Sequence, residues 1–185
     1  MKAGIPVRKL KKLPLANVYG HLETGPVILM TTANMGKNNV MTMSWHTMLE
    51  FEPPLIGCVV SERNHSFNML RASGECVIGI PTMEQASVVV KIGNTSGRNM
   101  DKFSTFGLAT SVASVVKAPL IPECYLNLEC RIRNTTLVNK YNFFVLEVLK
   151  AWIQPSKNLP RTIHHFGNGV FRVAGKTLRL KSGMK

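Results

Sequence analysis

The sequence predicts a mainly β fold: a closed or partly closed barrel decorated with a few short helices. Three observations carry this. Short apolar runs rich in β-branched residues recur along the chain, bounded by Gly, Pro and Asn clusters. Helix-forming patterns are confined to two or three short stretches. The 185 residues, 45% hydrophobic and 18% charged, suit one domain with a sizeable core.

Val27 to Thr32 is the first strand, β-branched and apolar, with Gly25-Pro26 before it and Asn34 and Gly36 after it. Asn39 to Thr47 alternates loosely and holds Val40, Thr42 and Trp45, which fit a pleated surface. Leu55 to Val60 follows Pro53-Pro54 and reads as a strand buried on both faces. Cys76 to Ile80 is another, ended by Pro81. Later strands run from Tyr125 to Arg133 and from Tyr141 to Ile153, joined by a polar turn at Val138-Asn139-Lys140. Phe171 to Ala174 and Thr177 to Leu180 flank Gly175-Lys176, the pattern of a closing hairpin.

Three helices are expected. Thr82 to Gln85 has capping-box spacing, and Ala86 to Ile92 continues it until Gly93. Ser66 to Arg71 forms a second after a polar loop, and Met100 to Phe106 a third with Asp101 near its start. Residues 1–14 read as a basic N-terminal arm and 15–185 as the domain.

The formal charge of +13 is uneven. Nine positives and no acids sit at Lys2, Arg8, Lys9, Lys11, Lys12, Lys176, Arg179, Lys181 and Lys185, so the body is only mildly basic. No apolar run reaches the roughly 18–20 residues a bilayer-spanning helix needs. Pro14, Asn17 and Tyr19 stand where a signal peptide has its apolar stretch. Cys58, Cys76, Cys124 and Cys130 contain no CxxC pair, and two lie in apolar runs. Buried free thiols in a cytoplasmic protein are the expectation, and a disulfide scaffold or zinc module is disfavoured.

Familiar catalytic constellations are absent from the sequence. Gly167-Asn168-Gly169 leads into a strand and is a turn, not a dinucleotide loop. His164 and His165 are adjacent and so point to opposite faces of a strand, a poor metal geometry. His21, His46 and His65 are scattered, and no carboxylate is spaced to pair with them. No catalytic side chain and no metal site is therefore named, and a cofactor is expected to carry any reaction.

Two segments have the chemistry of a cofactor site. Asn39 to Met48, followed by Phe51-Glu52-Pro53-Pro54, mixes small hydroxyls, Met and Trp before a rigid turn, offering an edge to a flat ligand. An ordinary barrel strand is the other reading. Ser61-Glu62-Arg63-Asn64-His65-Ser66 sets hydroxyls, an amide and an Arg just before a helix N-terminus, which favours an anion such as phosphate. A solvated loop is the alternative there.

The order of these segments resembles the flavin reductase-like family with its FMN-binding split barrel. The blocks are Gly25 to Thr32, Asn39 to Trp45 and Glu52 to Leu55; then Arg63 to Leu70, Gly74 to Pro81, Ser96-Gly97-Arg98 with Asp101-Lys102-Phe103, and His164 to Gly175. Together they cover roughly residues 18–180, with the Trp strand and the Asp-Lys-Phe block resembling the flavoredoxin-like branch. The resemblance implies a split β-barrel homodimer binding FMN non-covalently near the dimer interface. By position Asn39, Met43, Ser44, Trp45, His46 and Thr47 would lie along the ring and ribityl chain. Ser61, Arg63, Asn64 and Ser66 would hold the phosphate, with Ser96, Gly97 and Lys102 completing the site. Lys102 would sit near the phosphate or hold its loop through Asp101. Family members often carry a His near the start of the strand that here begins Tyr141-Asn142-Phe143.

The expected activity is an FMN-dependent oxidoreductase, a flavin reductase using NAD(P)H as co-substrate, with free flavin, a ferric complex, a redox protein or a flavin-dependent monooxygenase downstream. An electron carrier that keeps its FMN is the near alternative. A nucleic-acid-binding barrel is the alternative of another class: net charge favours it, but the positives concentrate in the termini and no aromatic-basic stripe crosses the barrel.

Overall fold

The computed structural model describes residues 9–22, 24–156, 158–181 and 183. Residues 1–8 of the basic arm and Lys185 lie outside the described residues. Eight strands form one sheet: β1 (Lys11–Leu13), β2 (Ile28–Asn34), β3 (Lys37–Met43), β4 (His46–Phe51), β5 (Pro54–Val59), β6 (Glu75–Ile80), β7 (Leu126–Asn134) and β8 (Phe143–Ile153). A separate hairpin pairs β9 (Ile163–His165) with β10 (Phe171–Val173). The helices are α1 (Tyr19–Leu22), α2 (His65–Ser73), α3 (Ala86–Gly93), α4 (Lys102–Phe106) and α5 (Val138–Tyr141).

The sheet order is β3-β2-β6-β7-β8-β5-β4, with every pairing antiparallel. The two end strands, β3 and β4, are separated in sequence by Ser44-Trp45 alone, so the sheet must curl back on itself. β8 splits its partners: its first half pairs with β5, while Ala151 to Ile153 pair with β1. Residues 11–13, within the stretch read as an arm, thus join the sheet and bury Leu13. Met35 and Gly36 both have positive φ (49° and 75°), the two-residue turn whose twist matches a β2–β3 hairpin.

β2 is buried along nearly its whole length because both of its faces are covered. Ile28 and Met30 point into the barrel core with Ile56, Ile78, Leu128 and Phe144. Val27 and Leu29 face a second core made with Val40, Val89, Ile92 and Phe103, where α3 and α4 pack. This outer layer positions the site. The segment between α4 and β7 is fastened over the barrel by Glu129, whose carboxylate accepts from the N–H groups of Ser114 and Val115 and from Trp152 Nε1. Burial opposes its ionisation, but those hydrogen bonds hold its pKa below the usual value.

Two sequence expectations need correction. β10 pairs with β9 through the Gly167-Asn168-Gly169 turn and not with Thr177–Leu180, which forms no strand. The Asn39–Thr47 strand is two strands, broken at Ser44-Trp45. The break lets the chain leave one edge of the sheet and enter the other.

Candidate functional site

Where β3 runs past the start of α2 and the end of α3, the three elements enclose a polar cavity of about 310 Å³. Asn39 stands on β3, buried, and its Nδ2 donates to Ser66 Oγ at 2.7 Å. Its Oδ1 is buried with no hydrogen-bond partner. A methyl group on Gly97 would stand 1.9 Å from that oxygen, so the close approach of the 96–98 backbone requires glycine.

Asn64 is the N-cap residue of α2, but its side chain makes no capping bond. The N–H groups of His65 and Ser66, in the first helical turn, have no acceptor within the helix. Two serines organise the flanking loops alike: Ser61 Oγ accepts from Arg63 N, and Ser96 Oγ from Arg98 N, both at 3.3 Å. Arg98 Nη2 reaches Arg63 O at 3.4 Å and links the loops.

Lys102 is buried, and its Nζ donates to Val40 O on β3 and Ile92 O on α3, both at 3.0 Å. It thereby ties strand to helix and covers the negative C-terminal end of α3 with a cation. Burial lowers its pKa. Asp101 does not pair with it; the Asp101 carboxylate caps α4 by accepting from Phe103 N at 2.9 Å. Among the described residues no acid lines this cavity, whereas Arg63, His65 and Lys102 do. Burial pushes the His65 pKa down, and Arg98, Lys102 and Lys37 push it further, as expected where positive charge is unbalanced.

A second compartment of about 380 Å³ adjoins the first and shares Thr42, Gly93 and Asn94 with it. Its walls are mostly apolar: Val27, Met43, Val89, Val90 and Phe171, with Ser44 and His165 as polar members. Thr42 Oγ1 donates to Val89 O at 2.7 Å, fixing α3 against β3. The β9–β10 hairpin closes one side, held by Val27 N to Ile163 O at 2.8 Å and by His164 Nδ1 to Gly25 O at 3.2 Å. The His165 and Phe171 rings lie 5.2 Å apart at this wall. The two compartments form one groove, polar at one end and apolar at the other.

Of the sequence-named residues, Asn39, Arg63, Asn64, Ser66, Ser96, Gly97 and Lys102 line the polar compartment, and Met43 and Ser44 the apolar one. Ser61 shapes the Arg63 turn from behind. Trp45, His46 and Thr47 line neither compartment. Trp45 is 71% exposed, and His46 and Thr47 line a separate cavity of about 350 Å³ with Leu49 and Phe51. His46 Nε2 lies 2.7 Å from Pro26 O, which can only accept, so Nε2 carries the proton and the buried Nδ1 is left without a partner. Thr42, Gly93, Asn94, His165 and Phe171 line the groove and were missed. His165 and Phe171 lie in the His164–Gly175 block, which carries the family resemblance but from which no site residue is named. Among the described residues, no group of three or more His, Cys, Asp or Glu is arranged to hold a metal.

The fold is shared with known proteins. An FMN-binding domain of a flavin reductases-like enzyme from Shewanella baltica OS155 superposes with a TM-score of 0.87 at 23% identity, covering 95% of this chain and 100% of that one. The flavoredoxin of Desulfovibrio vulgaris (Miyazaki F) gives 0.76 at 19% identity, over 99% and 98% of the two chains. In sequence, the uncharacterized protein YddH of Escherichia coli (strain K12) is 29% identical over 170 residues, 84% of this chain and 89% of YddH. The model of the flavin reductase like domain matches residues 20–173, and the chain belongs to that family.

Proposed function

We propose that this chain binds FMN non-covalently in the groove and works as an NAD(P)H-dependent flavin reductase. The observation that carries the reading is the polar compartment, lined among the described residues by Arg63, His65 and Lys102 and by no acid, and holding a buried acceptor, Asn39 Oδ1, without a partner. A phosphate monoester with a hydroxylated chain meets both needs: anionic oxygens for the cations and N–H groups, and an O–H donor for the orphan oxygen. Arg63 and the N–H groups of His65 and Ser66 would hold the phosphate, while Lys102 keeps the wall in position. Met43, Val89, Val90 and Phe171 would exclude water around the ring. FMN itself supplies the hydride-accepting and electron-storing chemistry, which agrees with a groove that holds no acid–base pair.

A flavoredoxin-type electron carrier is the second reading, favoured by the likeness to the Desulfovibrio flavoredoxin along nearly the whole chain. In either case we propose a homodimer. β4 is an edge strand whose Leu49 and Phe51 are exposed, as is Trp45 just before it, and beside it Phe51, Pro53, Pro54, Leu15 and Leu149 line a largely apolar hollow of about 670 Å³. Such a surface suits a second copy. The four buried free cysteines accord with a cytoplasmic setting.

Purified protein should show the absorbance bands of oxidised flavin. Steady-state NADH and NADPH oxidation with and without added flavin then separates the two readings. A reductase turns over either nucleotide, and a carrier turns over neither.

A further inference from the structure

We infer that residues 176–181 of one copy seat their two leucines in the largely apolar hollow beside β4 of a second copy. The inference rests on the homodimer reading above and names the part of the partner that fills this surface. The segment Lys176-Thr177-Leu178-Arg179-Leu180-Lys181 alternates like a half-buried strand, with Leu178 and Leu180 on one side and Arg179 and Lys181 on the other. Among the described residues nothing covers the leucine side. The segment forms no strand, and Leu178 and Leu180 are 79% and 82% exposed. The last hydrogen bond to the body among the described residues is from Ala174 N–H to Thr162 O at 2.8 Å. Beyond Ala174 the chain to Lys181 extends at most about 23–25 Å, enough to leave its own barrel for a neighbouring one.

The hollow has the complementary chemistry. Leu15, Phe51, Pro54 and Leu149 give it apolar walls, and Glu52 and Glu147 stand among them. Among the described residues no lysine or arginine lines it, although the chain carries 23 of them against 10 acids. Glu147 is held loosely, 3.8 Å from the Nε of Arg133, whose side chain is 67% exposed. About 670 Å³ has room for two leucine side chains, since whole small-molecule sites begin at roughly 300 Å³. Two hollows set directly face to face would bring concave against concave and Glu52 and Glu147 against like charges. A segment that carries leucines between cations fits in both shape and sign. β4 ends the sheet, so an extended segment beside Phe51 also meets an unpaired strand edge. Across a two-fold axis the exchange is reciprocal and closes the dimer.

Cross-linking tests the seat, and sedimentation tests the dimer separately. Ala16→Cys, at the wall of the hollow, is combined in one chain with Thr177→Cys, which leaves the leucines, the cations and both acids in place. Both positions are exposed, so the fold should stand, and thermal melts check it. The four native cysteines are buried and should not react with a short bis-maleimide. The double variant should give a covalent dimer on a denaturing gel, and neither single variant should. Loss of both new thiols at monomer mass would mean that a chain's own tail fills its hollow, which overturns the inference. Equal linkage in either single variant, hollow to hollow or tail to tail, overturns it too. Absence of any link in protein that sediments as a dimer overturns the inference and leaves the homodimer standing, whereas a monomeric wild type at micromolar concentration removes both. A chain ending at Ala174 should raise the dimer dissociation constant at least about tenfold, the worth of one buried leucine. An unchanged constant would contradict the seat.

Discussion

The polar and apolar compartments of the groove are held together by different forces. At the polar end, side chains from β3, α2 and the 96–98 loop fasten one another by hydrogen bonds and a buried cation. At the apolar end a Thr42 hydroxyl ties α3 to β3 and backbone bonds seat the hairpin, but the lining side chains Val27, Val89 and Phe171 meet through van der Waals contact alone. Directional bonds fix distances and charge, so the polar end suits the task of deciding whether an anionic ligand stays. Dispersion contacts tolerate adjustment, so the apolar end suits a ring whose electron count changes. Removing a polar tie should therefore cost stability or affinity steeply, and effects elsewhere should be smaller.

Lys102 gives the largest expected effect, because it ties both walls. Lys102→Met takes the Nζ donor from the buried carbonyls of Val40 and Ile92, of which Ile92 O keeps only the longer bonds from Thr95 N and Oγ1 at 3.4 Å. Each such group costs on the order of 1–3 kcal/mol, partly offset by release of a desolvated charge, so a net loss of about 2–4 kcal/mol is expected. For a domain of this size that lowers Tm by roughly 5–15 °C. A melt within about 2 °C of wild type would mean that β3 and α3 hold together without the lysine.

Gly97→Ala comes next and tests the close approach at Asn39. The new methyl group must displace Asn39 Oδ1 or the loop backbone, an overpacking that typically costs about 1–3 kcal/mol. FMN affinity should drop about tenfold, read by fluorescence titration. Unchanged affinity would show that the 96–98 loop shifts freely and that Asn39 is not part of the anchor.

The smallest effect concerns the region outside the groove. Burial lowers the pKa of His46 and also of His21. A histidine with a folded pKa below its unfolded value of about 6.5 binds protons first in the unfolded chain. Stability should thus be full above about pH 6.5 and decline as pH falls through the lowered folded values. His46→Gln should flatten that decline, by at most about 1.4 kcal/mol per pH unit, without changing FMN affinity at pH 7.5. An acid limb identical in the variant would exclude His46 as a contributor.

The contrast between the two compartments also explains what the sequence revealed. The polar end was legible because its chemistry is local. Ser61 to Ser66 carries hydroxyls, a cation and a helix start within six residues, and the Asp-Lys-Phe block supplies the lysine. The exact task of Lys102, bonding two carbonyls far apart in sequence, was not, since tertiary contacts decide it. The apolar end was largely hidden for the same reason. His165 and Phe171 reach the groove only because the Gly167-Asn168-Gly169 turn folds β10 back on β9, and a local hairpin pattern at Gly175-Lys176 competed with that pairing. Trp45, His46 and Thr47, which the resemblance places beside the ligand, lie past the break between β3 and β4 and do not line this groove.

The central claim is that the groove recognises the phosphate of a flavin through its polar end. Parallel titration of apoprotein with FMN and with riboflavin, in the wild type and in Arg63→Ala, tests it most directly. Riboflavin offers the same ring and ribityl chain without the phosphate. Wild-type protein should bind FMN at least 100-fold more tightly than riboflavin. Arg63→Ala should weaken FMN about 10- to 150-fold and leave riboflavin within a factor of two, narrowing the gap. Equal affinity of wild-type protein for FMN and riboflavin, or equal loss of both in Arg63→Ala, would contradict the account.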